Sequence, residues 1–391
     1  MNHRLLSASS AHIWCECPGF VAMSALVPET DKWKKETDEG HAAHWVCEQI
    51  EEDCINNGAY LTSPDTFVGQ AAPNGVIVTA DMAAGAKMYV EEIDAIVVDD
   101  CWRGVMVERT VQSTVHPECG GTLDTGYYSA SAHTLHIFDY KFGHGDVDVF
   151  ENKQLLIYFD GLSRELAESG VDLTTMTVHF HIIQPRCFTA SGPVKEWIVS
   201  AVDLRGLINR ISSAAHAAMS PDAQTVSGTH CKHCPVRHEC KSARQAALAG
   251  VEYTNTATPE PLSDDGLSYE MMELENAASA IKYRLEAIQD EAQSRIAAGR
   301  KIPHYVVKHG AGKRKWSVPL EDLKATAELL KVDFVKDPEP VTPAEAERRL
   351  KLAGMSLKDA KASLEGLFDT PSSGLKIVRD DGTEARRIFS K

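Results

Sequence analysis

Three cysteines at the spacing C-x2-C-x5-C constrain the fold of this 391-residue chain more than any other feature. Cys231, Cys234 and Cys240 can converge on one metal centre, which then needs a fourth ligand from elsewhere. Cys15 and Cys17 are the candidates, and either would close a loop of about 200 residues. Metal binding would offset a closure cost on the order of 5 kcal/mol, so the centre would act as a structural staple.

The spacing leaves the identity of this metal open. Thiolates suit an iron–sulfur cluster, whereas zinc also accepts imidazole, and His230, His233 and His238 lie in the same segment. The other cysteines are predicted to be small buried hydrophobic residues, namely Cys47, Cys54, Cys101, Cys119 and Cys187. The N-terminus has no signal-peptide core, and no stretch approaches a membrane span. We therefore expect a cytoplasmic protein, without a membrane partner, whose thiols stay reduced.

The composition allows a large folded domain and restricts any nucleic-acid site. Hydrophobic residues make up 43% of the chain, enough for a sizeable core with a smaller appendage. The formal net charge is -16. A field of this sign repels phosphate, so a DNA-binding surface would have to keep its positive potential local, in a groove or a loop.

Hydrophobic periodicity and turn signals predict an α/β fold with a hairpin-rich sheet. Residues 1–58 are expected to be mainly helical, and residues 61–75 to form a loop. The predicted helices span residues 41–50, 81–96, 152–168 and 204–219, and a short helix ends at 249. The predicted strands span residues 104–114, 122–129, 134–141 and 177–183. A short polar turn joins strands 122–129 and 134–141 into a hairpin.

The region after residue 248 is predicted to be an appendage. Residues 249–266 have the composition of a linker, and a long helix is expected over 267–299. Its apolar positions follow a heptad pattern, at Leu267, Met271, Leu274, Ala278, Ile281, Leu285, Ile288 and Ala292. This pattern is typical of packing against another helix, either in the same chain or in a second copy. Residues 300–391 are expected to form a small mixed region with a poorly ordered tail of about twenty residues.

The segment 308–316 combines basic residues and glycines with one aromatic residue. We hypothesise that it touches a nucleic-acid backbone, with Trp316 able to stack on a base. The alternative is a solvated basic loop.

Two carboxylates lie on the predicted hairpin. With the turn near Ser131, Asp124 and Asp139 fall nearly opposite one another on adjacent strands, where they can share one or two divalent cations. Hard oxygen ligands favour Mg²⁺ or Mn²⁺. Lys141 points to the same side as Asp139 and could stabilise developing negative charge. This set suits metal-assisted phosphodiester hydrolysis, although an exposed salt-bridged strand would carry the same residues.

Three further residues could complete such a site. His44 lies in a helical segment and offers an imidazole to the metal. Gln154 and Tyr158 are four residues apart on the helix that follows the hairpin, so they share a face. They could bind a phosphate or a base beside the site.

The order of these motifs resembles the RecB-type PD-(D/E)XK nucleases over roughly residues 5–245. The motifs are Cys17-Pro18, Gly40-x3-His44, Gly121-x2-Asp124, Asp139-Tyr140-Lys141, Gln154-x3-Tyr158 and Cys231-x2-Cys234-x5-Cys240. The resemblance is to the iron–sulfur subset, which includes the AddB nuclease domain and the CRISPR-adaptation exonucleases. Phage-encoded members of this superfamily that carry an extra C-terminal region are also similar.

The resemblance implies a restriction-endonuclease-like core over residues 1–248, with a mixed sheet flanked by helices and with helical insertions. It implies that His44, Asp124, Asp139 and the Tyr140 backbone carbonyl bind Mg²⁺ or Mn²⁺. Lys141 would be the catalytic lysine, with Gln154 and Tyr158 beside it. A 4Fe–4S cluster would be held by Cys17, Cys231, Cys234 and Cys240. Because Cys15 lies two residues from Cys17, the identity of the fourth cysteine ligand stays open. Glu108 is a candidate auxiliary acid.

The expected function is a metal-dependent DNA exonuclease, encoded by a phage or prophage and active in the bacterial host cytoplasm. It would act on single-stranded DNA or duplex ends in recombination, replication or repair. The sequence contains no G-x4-G-K-[ST] motif, so a helicase or a strand-annealing protein could deliver the DNA. The alternative is a non-catalytic nucleic-acid-binding or scaffold protein that retains the fold, with zinc or an iron–sulfur cluster as a structural metal.

Overall fold

The computed structural model describes residues 4–26, 34–58, 61–97, 104–187, 192–256, 263–309, 315–332 and short stretches between 335 and 379. The chain divides into two compact units, residues 1–287 and 288–391. Within the described residues, no helix combines the length and the apolar character that a membrane crossing requires.

The first unit contains one six-stranded sheet and the helices that surround it. The strands are β1 (Leu6–Ser7), β2 (Val105–Gln112), β3 (Cys119–Ser129), β4 (Thr134–Tyr140), β5 (Thr177–Ile183) and β6 (Val194–Ser200). The helices are α1 (Ala11–Trp14), α2 (Phe20–Leu26), α3 (Lys34–Asn57), α4 (Ala80–Asp94), α5 (Lys153–Glu168), α6 (Arg205–Ala218), α7 (Lys241–Thr256) and α8 (Asp264–Ala297), the last of which continues into the second unit.

The sheet is mixed. Its order is β1-β3-β4-β5-β6, and β2 pairs with β3. Strands β3 and β4 form the predicted antiparallel hairpin, whereas β4 and β5 are parallel and are connected through α5. The remaining pairs are antiparallel, except for the short parallel pair of β1 with β3. The predicted α/β class, with a mixed central sheet flanked by helices, is confirmed.

Two apolar layers enclose this sheet. Helix α5 buries its predicted apolar face, including Leu155, Leu156 and Leu162, in a core shared with α1 and α6. A separate core joins α3 and α4 to Tyr127, Phe138 and other sheet residues. Helix α5 begins at Asn152, whose side chain accepts hydrogen bonds from two backbone N–H groups of its first turn. The hairpin between these two layers carries the predicted catalytic carboxylates Asp124 and Asp139, and α5 carries Gln154 and Tyr158.

Two strands of the sheet were not predicted, namely the two-residue β1, in a region expected to be mainly helical, and β6. Strand β6 pairs with β5 along its whole length. Its β-branched and aromatic residues, bounded by Gly192-Pro193, are a strand signal that the prediction overlooked. The long helix expected over 267–299 is present as α8. The predicted linker begins later than expected, because α7 continues to Thr256.

The second unit contains short elements. They are β7 (Tyr305–His309), β8 (Lys315–Trp316), α9 (Leu320–Leu330), β9 (Val335–Lys336), β10 (Glu339–Pro340), β11 (Phe368–Asp369) and β12 (Leu375–Arg379). The prediction of a disordered tail is wrong for β12, which pairs antiparallel with β7 and so satisfies its backbone hydrogen bonds. Residues 380–391, also in that prediction, lie outside the described residues.

Trp316, the aromatic residue of the predicted basic segment, is half-buried and contacts the second unit's own residues. It packs edge-on against Phe368, with ring centroids 6.3 Å apart, beside a small core that includes Ala327 and Leu364. Its apolar surface is therefore used in folding the second unit. Residues 310–314, the centre of the predicted basic segment, lie outside the described residues.

Candidate active site and cysteine cluster

The register of the hairpin brings the two predicted carboxylates together. Strand pairing ends at Thr125 and Phe138, so the next positions on the two strands are Asp124 and Asp139. The Asp124 Oδ2 atom accepts a hydrogen bond of 2.8 Å from the backbone N–H of Tyr140. This bond fixes the Asp124 carboxylate at the point where β3 and β4 separate.

Lys141 reaches back to the second carboxylate. Its Nζ atom lies 3.0 Å from Asp139 Oδ1 and 2.8 Å from Asp139 Oδ2, and it also donates to Gln154 Oε1 at 3.2 Å. The Asp139 side chain is only 2% exposed. Its Oδ2 atom is buried and receives no hydrogen bond. The Lys141 ammonium, 2.8 Å away, supplies the positive charge that this buried carboxylate needs, so Asp139 and Lys141 form a buried ion pair.

Two residues from other elements complete the group. His44 on α3 places Nδ1 3.5 Å from Asp124 Oδ1, and its ring also hydrogen-bonds to the backbone of Tyr140. His44, Glu108 and Asp124 each place one ligand atom within 4.8 Å of the others. The three elements α3, β2 and β3 therefore supply one set of potential ligands.

Glu108 reaches this group through an unusual backbone conformation. Its φ angle is 45°, in the left-handed region that side chains other than glycine rarely adopt. The ladder between β2 and β3 is interrupted there, between the pairs Val107–Thr125 and Arg109–Leu123. Such strain persists where the surrounding structure enforces it, and it concentrates at functional sites.

The charges of the group are unbalanced. Burial raises the pKa of Asp124 to about 6, and it also raises the pKa of Asp139. Partial burial and the charge of Asp124 raise the pKa of Glu108 to about 8. Although burial opposes the Lys141 ammonium, the charges of Asp139 and Asp124 raise its pKa. Burial lowers the pKa of His44 to about 4, which keeps its imidazole neutral and able to bind metal.

These features fit a divalent cation. The carboxylates of Glu108 and Asp124 converge with the neutral His44 imidazole, and Lys141 pairs with the neighbouring Asp139, so a cation would stabilise the two converging carboxylates. The donors are mainly oxygen, which suits Mg²⁺ or Mn²⁺.

Gln154 and Tyr158 share a face of α5, as predicted. Gln154 contacts Lys141, and Tyr158 contacts Gln154. Gln154 Nε2 donates to Tyr158 Oη at 3.0 Å, and Tyr158 Oη donates to the Thr122 carbonyl at 2.6 Å. Tyr158 is only 2% exposed, so direct contact with a base or phosphate is excluded. Its hydrogen bonds instead orient Gln154, which accepts from Lys141.

The four predicted cysteine ligands line one small cavity. Cys17, Cys231, Cys234 and Cys240 surround it. Cys15 lines a different pocket, together with Glu16 and Lys153 on the other side of the N-terminal segment. The structure therefore places Cys17, not Cys15, with the other three sulfurs.

Hydrogen-bond donors surround two of these sulfurs. The backbone N–H groups of Val226 and Gly228 lie 3.3 Å and 3.5 Å from the sulfurs of Cys17 and Cys231. His230 hydrogen-bonds to the same two sulfurs, and these bonds raise its pKa to about 10. His230 is therefore placed as a donor to thiolate sulfur, which favours the ionised form that binds metal.

The remaining predicted cysteines have the expected environment. Cys47, Cys54, Cys119 and Cys187 are all buried, with exposures of 0–3%. Cys101 lies outside the described residues.

A second group of potential ligands was not predicted. His136, His179 and His181 converge on the sheet, although they come from two strands far apart in sequence. The alternation His179-x-His181 on a predicted strand was a usable signal, because residues two apart share a face.

A comparison with protein families places the chain. A family model described as "Protein of unknown function (DUF2800)" matches residues 3–383, which is nearly the whole sequence. The chain therefore belongs to the DUF2800 family.

Proposed function

We propose that this protein is a metal-dependent DNA exonuclease with a PD-(D/E)XK core. The observation that carries the proposal is the convergence of Asp124, Asp139 and Lys141 where β3 and β4 separate. The neutral His44 imidazole and its proximity to the Glu108 and Asp124 carboxylates support a cation at this position.

The residues of the chain would divide the work of hydrolysis. His44, Asp124, Asp139 and the Tyr140 carbonyl would hold Mg²⁺ or Mn²⁺. When bound, the cation supplies charge neutralisation at the phosphate and lowers the pKa of a water molecule. Lys141 would stabilise charge on the phosphate as water attacks in line, without a covalent intermediate. Gln154, oriented by Tyr158, would fix the position of the Lys141 ammonium.

The proposed substrate is a DNA end, single-stranded or duplex, in phage or prophage recombination, replication or repair in the bacterial cytoplasm. Because the net charge of -16 repels phosphate, DNA would have to bind where positive potential is local and not over a broad surface. A helicase or a strand-annealing protein would deliver the DNA.

We further propose that Cys17, Cys231, Cys234 and Cys240 hold a 4Fe–4S cluster. The shared cavity and the hydrogen-bond donors to sulfur support metal binding by these four thiolates, and the resemblance to the iron–sulfur subset favours the cluster over zinc.

Degradation of end-labelled DNA tests the nuclease proposal. Single- and double-stranded DNA would be incubated with Mg²⁺ or Mn²⁺ and the wild type, Lys141→Ala or Lys87→Ala. Lys87 is an exposed lysine on α4 whose ammonium lies 3.9 Å from Glu91, so its removal controls for loss of surface charge. We expect metal-dependent degradation that Lys141→Ala slows by roughly 100-fold or more and that Lys87→Ala leaves unchanged.

The other outcomes have distinct meanings. Equal activity in Lys141→Ala and wild type would contradict the proposed site. DNA binding without degradation in any of the three proteins would favour the non-catalytic scaffold.

A further inference from the structure

Three histidines meet on the sheet away from the candidate active site. His136 on β4 is the direct register partner of His179 on β5, and His181 follows two residues later on the same face. Each ring offers one nitrogen within 4.8 Å of the other two. The Nδ1 atom of His136 and the Nε2 atom of His181 are 3.2 Å apart.

The separation of two of the three imidazole nitrogens matches a tetrahedral metal site. Zinc binds imidazole nitrogen at about 2.0–2.1 Å, so two nitrogens of a tetrahedral site lie about 3.3–3.4 Å apart. The 3.2 Å separation of His136 and His181 is close to that value. Burial lowers the pKa of His136 to about 4 and of His181 to about 3, which leaves both lone pairs available at neutral pH.

The surroundings provide a second layer of contacts. Glu196 on β6 places Oε1 2.8 Å from His179 Nδ1 and 3.8 Å from His181 Nε2, so its carboxylate orients the His179 ring beside the group. The Phe138 ring stacks on His181 with centroids 4.4 Å apart. His179 and Glu196 are 21% and 42% exposed, so an ion can enter from solvent.

We propose that His136, His179 and His181 bind a divalent transition-metal ion, with Zn²⁺ as the expected occupant. Imidazole nitrogen selects zinc over Mg²⁺ or Ca²⁺, which require oxygen ligands. Glu196 orients His179, and water fills the fourth position. The site is separate from the Asp124–Asp139 group and does not depend on the proposed nuclease activity.

The metal would join two strands of the sheet. Strand β4 carries His136 and, three residues later, Asp139 on the opposite face. A zinc ion bound to β4 and β5 would therefore hold the strand that supplies a candidate active-site carboxylate. The three rings also contact one another directly, through the His136–His181 hydrogen bond and through stacking. The measurement that separates a metal site from a purely structural group is therefore the amount of zinc bound per chain.

Zinc binding to the full chain tests the proposal. The protein would be purified without oxygen, treated with a chelator, dialysed against Zn²⁺ and analysed for zinc per chain. The comparison includes wild type, His179→Ala, Glu196→Gln and His216→Ala, the last an exposed histidine on α6 outside this group. A Cys231→Ser variant identifies zinc held by the cysteine cavity, and Asp124→Asn identifies zinc at the acidic group.

We expect His179→Ala to lose one zinc equivalent and Glu196→Gln to bind that equivalent about 10- to 100-fold more weakly. His216→Ala, Cys231→Ser and Asp124→Asn should retain it. Thermal unfolding with and without zinc provides a second readout, because zinc should raise Tm in wild type and not in His179→Ala. Unchanged zinc stoichiometry and affinity in both His179→Ala and Glu196→Gln would overturn the proposal. If His179→Ala does not fold, the exposed Glu196→Gln variant decides alone.

Discussion

At the residue scale, a buried glutamate lies directly behind the candidate active site. Glu51 on α3 is 2% exposed and accepts a hydrogen bond from the hydroxyl of Thr125, the neighbour of Asp124. Tyr89 donates to the same hydroxyl at 2.8 Å. Burial raises the pKa of Glu51 well above its usual value, and the charge of Asp124 adds to the effect. The fold therefore favours the neutral form of this carboxyl.

This pKa shift predicts a pH-dependent stability. Below the pKa of about 4.5 that Glu51 has in the unfolded chain, its carboxyl is neutral in the folded and the unfolded protein. Its burial then does not lower the free energy of unfolding. As the pH rises from this value toward the raised pKa of Glu51 in the folded protein, the free energy of unfolding decreases. The reason is that Glu51 ionises in the unfolded chain and stays neutral in the fold. We expect Glu51→Gln to be about as stable as wild type near pH 4 and more stable near pH 8.

Thermal unfolding across this pH range, with a chelator present, measures the effect. Glu52→Gln, at an exposed position on the same helix, is the matched control and should show no pH-dependent gain. A Tm difference between Glu51→Gln and wild type that does not grow with pH would show that the Glu51 carboxyl is not penalised in the fold.

At the element scale, helix α5 approaches the sheet so closely that one position must be glycine. A Cβ atom at Gly161 would overlap the Val111 side chain and lie 2.8 Å from the Gln112 carbonyl oxygen. Because α5 also carries Gln154, this close contact sets how far the helix lies from Lys141. Packing at Gly161 therefore connects the fold to the geometry of the site.

We expect Gly161→Ala to lower the free energy of unfolding by about 1–3 kcal/mol, because the backbone at Gln112 has to move. Gly206→Ala near the start of α6 is the control, since no atom lies within 4 Å of the added Cβ. That variant should be neutral or more stable by up to about 1 kcal/mol. Denaturant unfolding compares the two, and equal stability would contradict the close packing of α5 on β2.

Helix α8 leaves most of its heptad positions exposed within the chain. Leu267, Met271 and Leu274 are 50%, 55% and 38% exposed. The contact with α7 involves Ala277 and the heptad residue Ile281, which both lie against Gly250. The in-chain alternative therefore accounts for the middle of the heptad pattern, and most of the other heptad positions stay exposed.

Because these heptad residues are exposed, self-association through residues 267–292 stays a prediction. We expect the wild type to form oligomers whose mass depends on concentration, because exposed heptad residues gain burial against a second copy. Met271→Glu should be monomeric, whereas Asn276→Glu, at an exposed position off the heptad pattern, should behave as wild type. Light scattering over a concentration series measures the mass, and a strictly monomeric wild type would remove the prediction.

At the scale of the whole molecule, the cysteine cavity joins distant parts of the first unit. Cys17 follows α1, and the other three cysteines lie between α6 and α7. A bound cluster would restrict the unfolded chain much as a disulfide does, through a loop of about 200 residues.

We expect Cys17→Ser to lose the brown iron–sulfur absorbance and to unfold at a Tm lower by roughly 10 °C, a cost of about 3 kcal/mol. Cys15→Ser is the matched control, since this neighbouring cysteine lines another pocket, and it should keep both properties. Anaerobic purification, absorbance near 400 nm and iron analysis provide the measurement. A colourless wild type that contains zinc in the cysteine cavity would replace the cluster with the zinc alternative.

Local patterns in the sequence determined most elements of the first unit. The helical apolar face of α5 and the hairpin turn before β4 depend on neighbouring residues, so both were predictable. The same locality placed Asp139 and Lys141 on one side of β4, because strand side chains alternate. It also put Gln154 and Tyr158 on one face of α5.

Only the tertiary structure decided which distant groups meet. It placed Cys17 in the cysteine cavity and Cys15 outside it, a choice that two residues so close in sequence do not reveal. It turned Glu108 toward Asp124 through a left-handed backbone angle enforced by the surrounding sheet. It also brought His136 beside His179, because the register of parallel strands is set by how whole layers pack and not by local sequence.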